Sequence, residues 1–152
     1  MASGGPSSTA RRATGAGREL LAVTKEQRAT IARAIREAEA GTTGRIVVRV
    51  IPDRNVDAFE RARHDFGRVG LHHHATRNAA LILVAPQAKR FAVLGDRALH
   101  ERVGEAFWRD VVQETQPYFA RGATEEGVLH AVARLGAALH EYFPEPVEAM
   151  PS

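Results

Sequence analysis

Residues 79–95, AALILVAPQAKRFAVLG, decide how this chain folds. Ala79–Ala85 is an unbroken apolar run of strand length, the mark of a strand covered on both faces. Pro86–Lys89 supplies a turn, and Arg90–Leu94 returns as an antiparallel partner, closed by Gly95 and Asp96. Upstream, RIVVRVI at Arg45–Ile51 points Ile46, Val48 and Val50 to one side and Val47, Arg49 and Ile51 to the other. Such β-branched density on both sides predicts an interior strand covered by helices. Pro52–Asn55 turns away, and Asn55 or Asp57 is placed to cap a helix. Phe59, Ala62, Phe66 and Val69 form the apolar stripe of that helix before Gly70. Strands joined through a helix predict a right-handed parallel crossover.

Further helices flank this centre. Thr24 and Gln27 have the spacing of a capping box, and the helix they open carries Ile31, Ile35 and Ala38 on one face until Gly41. After Asp96, Ala98–Val103 reads as a short helix and Phe107–Gln116 as a longer one, which Pro117 should end or kink. Thr124–Tyr142 sets Val128, Leu129, Val132, Leu135, Gly136 and Leu139 at helical spacing, with Pro144 as the stop. Gly136 inside that stripe predicts a close contact with the sheet or another helix. The expected fold is α/β: a three-layer sandwich with helices on both faces of a mixed, mostly parallel sheet that includes an antiparallel hairpin strand. Residues 24–144 form this domain, between a flexible N-terminal tail at 1–23 and a C-terminal tail at 145–152.

Composition bounds the function. A chain of 152 residues has room for one ordinary domain, and 44% hydrophobic residues suit a globular rather than a disordered one. No apolar run approaches the roughly 18 residues of a membrane span. The absence of cysteine excludes disulfides, thiolate catalysis and cysteine metal sites, and makes the cytoplasm the default compartment. The net charge of +3 comes largely from Arg11, Arg12 and Arg18 in the N-terminal tail. With no aromatic–basic interleaving in the folded part, nucleic-acid binding ranks last among the functions considered.

Several segments together, RNAALILVAPQAKRFAVLGDRALHERVG at Arg77–Gly104, the Phe107–Trp108 pair, YFARG and GVLHAVARLGAALHEYFP, resemble the TPM domain family. The likeness spans about residues 24–144 and is nearest to the short, soluble bacterial members. It implies a compact α/β sandwich, divalent-cation binding in some members and a proposed phosphatase activity. Asn78 matches the family's Asn before the second strand, and Gly95, Asp96, His100 and Glu101 match its short members. Arg77 and Arg45 stand where many relatives carry acids, which removes oxygen ligands that a hard cation requires.

Asp96, His100 and Glu101 are the candidate metal residues, for Ca²⁺ or Mg²⁺, on a strand-to-helix connection. The competing reading is that Asp96 caps a turn while His100 and Glu101 are solvated, and the spacing favours it because it is no ligand signature. Asn78 is the candidate ligand-binding residue, against the alternative that its amide satisfies loop backbone. His72, His73 and His74 form a string that suits a borderline transition metal, with His64 and Asp65 as its nearest help, but adjacent loop imidazoles seldom converge on one ion. Trp108 offers a stacking surface and reads better as core. Lys89 and Arg90 offer an anion site and read better as a solvated edge. The Ser residues all lie in the tails, and neither a nucleophile elbow nor a phosphate loop is present.

The expected function is therefore an interaction or accessory module with an unidentified protein partner and weak divalent-cation binding. The alternative is a metal-dependent phosphatase in which Asp96, Glu101 and His100 hold the ion and bound water attacks a phosphate ester.

Overall fold

Hydrogen bonding in the computed structural model, which describes residues 2–4, 23–68 and 76–146, sets four strands in one sheet. In chain order the strands are β1 (Ala2–Gly4), β2 (Arg45–Val50), β3 (Ala79–Ala85) and β4 (Arg90–Gly95); the helices are α1 (Lys25–Glu39), α2 (Ala58–Arg68), α3 (Arg97–Ala120) and α4 (Thr124–Tyr142). The spatial order is β1-β4-β3-β2. β2 runs parallel to β3 with Arg45 opposite Ala79 and Val50 opposite Val84. β3 and β4 are the antiparallel hairpin, from Ala80 opposite Gly95 to Ala85 opposite Arg90. A short turn, Pro86–Ala88, joins them, with Lys89 in the left-handed conformation.

The mixed sheet matches the sequence-based expectation except in its balance, which is corrected from mostly parallel: β2–β3 is parallel, while β3–β4 and β1–β4 are antiparallel. Parallel neighbours need a crossover, and α2 provides that connection, while β3–β4 closes through a tight turn. β1 pairs antiparallel with β4, opposing Ala2 to Val93 and Gly4 to Phe91. Nothing in the composition of the N-terminal stretch announces that strand. One position is corrected: among the described residues β2 is an edge strand, not an interior one. β-branched residues report that both faces of a strand are covered; they carry no information on whether both backbone edges are paired.

Alternation sorts the core into layers. Ala80, Ile82, Val84, Phe91 and Val93 pack with Ile31 of α1, Leu99, Trp108 and Val111 of α3 and Val128, Leu135 and Leu139 of α4. On the opposite face, Ala79, Leu81, Leu83, Ala92 and Leu94 pack against Ala58, Ala62 and Phe66 of α2. Every residue of β3 is buried, as its unbroken apolar run requires. The Thr24–Gln27 capping box opens α1, and Asp57, rather than Asn55, caps α2 by accepting from the Glu60 N–H at 3.1 Å. Gly136 touches another helix: a β-carbon there would lie 2.8 Å from that of Ala38.

Pro117 does not end its helix. α3 continues to Ala120 and breaks instead at Gly104, with φ 77° and ψ 170°, a region essentially reserved for glycine. Pro117 falls in the last turn, so its missing N–H costs α3 one intrahelical bond, to the Gln113 carbonyl, with only three residues left to follow.

Candidate functional site

Antiparallel register brings the residues before β3 against those after β4. Asp96 donates its backbone N–H to the Ala79 carbonyl at 2.9 Å, and the Ala98 N–H donates to the Arg77 carbonyl at 3.0 Å. Arg77, at φ 53°, is thereby held beside Asp96. Its guanidinium grips the carboxylate at two points, Nε to Oδ2 at 2.6 Å and Nη2 to Oδ1 at 2.9 Å. Asp96 is nearly buried, and its Oδ1 also accepts from the Arg97 N–H at 2.7 Å, capping α3. The hydrogen bond to Asp96 raises the Arg77 pKa above its ordinary value.

Asn78 is fully buried. Its amide nitrogen donates to Thr43 Oγ1 at 3.0 Å, and its amide oxygen accepts from the Thr76 hydroxyl. The nitrogen end of the amide thus ties the loop before β3 to the loop before β2, and the oxygen end braces its own loop. His100 is half-buried on the first turn of α3, and Trp108, wholly buried, donates its indole N–H to His100 Nδ1 at 3.0 Å. Since indole nitrogen only donates, Nδ1 must accept and the ring proton of neutral His100 resides on Nε2. That proton faces Glu105 Oε2, 4.0 Å away. A straight helix would separate residues eight apart by about 12 Å along its axis. The break at Gly104 lets these two side chains meet. Glu101 is exposed.

Beside this constellation lies an open groove of about 390 Å³ with Phe66 and Leu94 as its apolar walls and Asp96, Arg97 and His100 on its rim.

A hard divalent cation does not fit these residues. Both Asp96 oxygens already accept charged or backbone donors, and the amide oxygen of Asn78 is engaged. A metal on His100 Nε2, with Nδ1 still accepting from Trp108, would require an imidazolate ring. Arg77 lies within hydrogen-bond distance of Asp96, and the register sets exposed Arg45 opposite Ala79 at the same end of the sheet. Among the described residues no three His, Asp or Glu side chains are grouped to hold an ion.

The remaining candidates separate from this site. His72, His73 and His74 lie outside the described residues. Asp65 is wholly buried between Arg49, at 3.2 Å, and Arg61, at 3.3 Å, while His64 is exposed. Lys89 and Arg90 sit half-buried at the hairpin turn. The pairing of Arg77 with Asp96 was open to discovery from the hairpin register. The Trp108–His100 bond depends instead on how the two helical segments expected at Ala98–Val103 and Phe107–Gln116 turn against each other at Gly104, an angle that periodicity does not encode. Among the described residues no helix is long and apolar enough to cross a membrane.

The fold is similar to that of BA42 protein from the psychrophilic bacterium Bizionia argentinensis, determined by NMR. That similarity has a TM-score of 0.73 and 32% sequence identity, covering 80% of this chain and 84% of that chain. It also resembles the N-terminal domain of cg2496 protein from Corynebacterium glutamicum, with a TM-score of 0.61 at 14% identity, over 77% of this chain and 74% of that one. At that identity the likeness concerns the fold. No curated protein matches the chain significantly. The model of the TPM domain matches residues 21–138, most of the described domain, and the chain belongs to the TPM domain family.

Proposed function

We propose that this chain is a non-catalytic TPM module that acts by binding another protein, with divalent-cation binding weak at most. The observation that carries this reading is the Arg77–Asp96 fork, in which an internal guanidinium supplies the positive charge that a cation would bring to Asp96. Arginine is charged at every physiological pH and matches a carboxylate at two points. A cation would have to displace it and then sit beside it.

Catalysis lacks support for the same reason. The phosphatase alternative, in which bound water attacks the ester, depends on a metal to activate that water. The groups that would hold the metal are engaged with Arg77, Arg97, Thr76 and Trp108. Isothermal titration with Ca²⁺, Mg²⁺ and Zn²⁺, alongside para-nitrophenyl phosphate hydrolysis with and without chelator, tests the reading. The expected result is no binding heat at submillimolar metal and no chelator-sensitive hydrolysis. Hydrolysis that chelator and Asp96→Asn both abolish would establish the phosphatase instead.

A further inference from the structure

We infer that the open edge of β2 is a docking strand for an extended, acidic segment of a partner protein with alternating apolar residues. This rests on the reading of the chain as an interaction module and names the surface it would use. The direction of the backbone groups follows from two hydrogen bonds. The Ile51 N–H donates to the Val84 carbonyl at 2.9 Å, so odd-numbered residues of this strand face β3. The Ile46 N–H donates outward to Glu39 Oε2 at 2.6 Å, which confirms that even-numbered residues face away. Glu39 thus closes one end of the edge. The N–H and C=O groups of Val48 and Val50 remain directed outward, with no partner among the described residues. At the far side of the sheet the edge strand is β1, which is only three residues long and pairs with β4.

Side chains beside these groups form a matching receptor. Between α1 and β2 runs a groove of about 330 Å³ lined by Val23, Ile31, Ile35, Val48 and Val50, with Arg28 on its wall. A strand added to the edge would bond to Val48 and Val50 and send every second side chain into this groove. The charges select the occupant. Arg28 stands at the Val50 end and Arg45 at the start of the strand; both are exposed and neither has an acidic partner among the described residues. Acidic residues at both ends of an apolar, alternating segment complement them, whereas a basic segment would meet like charge.

The test uses the full chain and a fluorescein-labelled peptide, Glu-Glu-Val-Thr-Val-Thr-Val-Glu-Glu, followed by fluorescence anisotropy. Saturable binding is expected, lost with a peptide in which Lys replaces each Glu. Val48→Pro should weaken binding by about tenfold or more, equivalent to 1.4 kcal/mol. That proline removes an outward N–H and no ladder bond, so it is compatible with an edge strand. Arg28→Glu, at an exposed helix position, should weaken binding similarly without touching the sheet. Absence of saturation up to about 1 mM peptide, weaker than −4.1 kcal/mol, overturns the proposal, as does equal binding by both variants. A chain that dimerises, loses dimerisation on Val48→Pro and ignores the peptide assigns the edge to a second copy and overturns the acidic partner. Failure here, with no metal-dependent hydrolysis, leaves the non-catalytic reading standing; chelator-sensitive hydrolysis defeats that reading whatever the peptide does.

Discussion

Arg77 and Asp96, 19 residues apart in sequence, meet as a two-point ion pair with the Arg77 Nε 2.6 Å from Asp96 Oδ2. The pair joins the entrance of β3 to the exit of β4 and starts α3 at the same carboxylate. It is a structural clasp at the place where the family resemblance directs attention to a cation.

Removing the carboxylate should cost more than neutralising it. Asp96→Ala loses the fork and the cap on the Arg97 N–H, and an expected loss of about 2 kcal/mol follows from charged hydrogen bonds and helix caps of ordinary strength. Asp96→Asn keeps a capping oxygen and should lose less. Arg77→Ala should also lower the melting temperature, because it leaves a nearly buried carboxylate without its counter-charge. Urea melts of the singles and the double variant check this; strictly additive losses would show that the two side chains do not act as a pair.

The break in α3 belongs to its glycine and not to its proline. Gly104→Ala places a β-carbon on a residue at φ 77° and ψ 170°, and should destabilise the protein by about 1–3 kcal/mol. Pro117→Ala should be neutral or slightly stabilising, since it restores an N–H within a helical turn. The same Gly104→Ala change should disturb the Trp108 environment, read by tryptophan fluorescence, because the break brings the indole to His100. Unchanged stability and emission would contradict this account.

Gly95 is a contact surface for the indole. A β-carbon at that position would lie 2.5 Å from the Trp108 ring, whose wholly buried side chain has no room to retreat. Gly95→Ala should therefore cost about 1–3 kcal/mol through overpacking. Thermal unfolding gives the answer directly, and a melting temperature equal to that of the parent chain would refute it.

Acid should loosen the contact between α3 and α4. His130 Nε2 donates to Glu114 Oε1 at 2.7 Å, and Arg134 Nε lies 3.1 Å from the same oxygen. The hydrogen bond from His130, followed by attraction to Arg134, holds the Glu114 carboxyl below its ordinary pKa. A depressed folded pKa stabilises the protein above the unfolded value, about 4.3 for glutamate, and that contribution fades as pH falls through the folded value. Melting temperatures should thus separate wild type from Glu114→Gln at neutral pH and converge in strong acid. A gap that persists unchanged into acid would rule out this carboxylate as the source.

Residue pattern and tertiary structure divide the protein between them along physical lines. Periodicity disclosed β2, β3, β4 and the helices, because burial of one face leaves its spacing in the sequence. The Thr24–Gln27 box was equally legible, being a local hydrogen-bond arrangement complete within four residues. The edge position of β2 was not, since apolar side chains record covered faces and leave backbone pairing unmarked. Pro117 misled for a related reason: its effect depends on its place in the helix, and the left-handed φ of Gly104 is a choice that only packing selects.

At the candidate site the sequence by itself determined which polar groups exist and ruled out thiol and disulfide chemistry. Tertiary structure alone decided how they are used, because hydrogen-bond partners come from distant segments. Asp96 meets Arg77 through hairpin register, Asn78 meets Thr43 across the parallel pair, and His100 meets Trp108 across the break at Gly104.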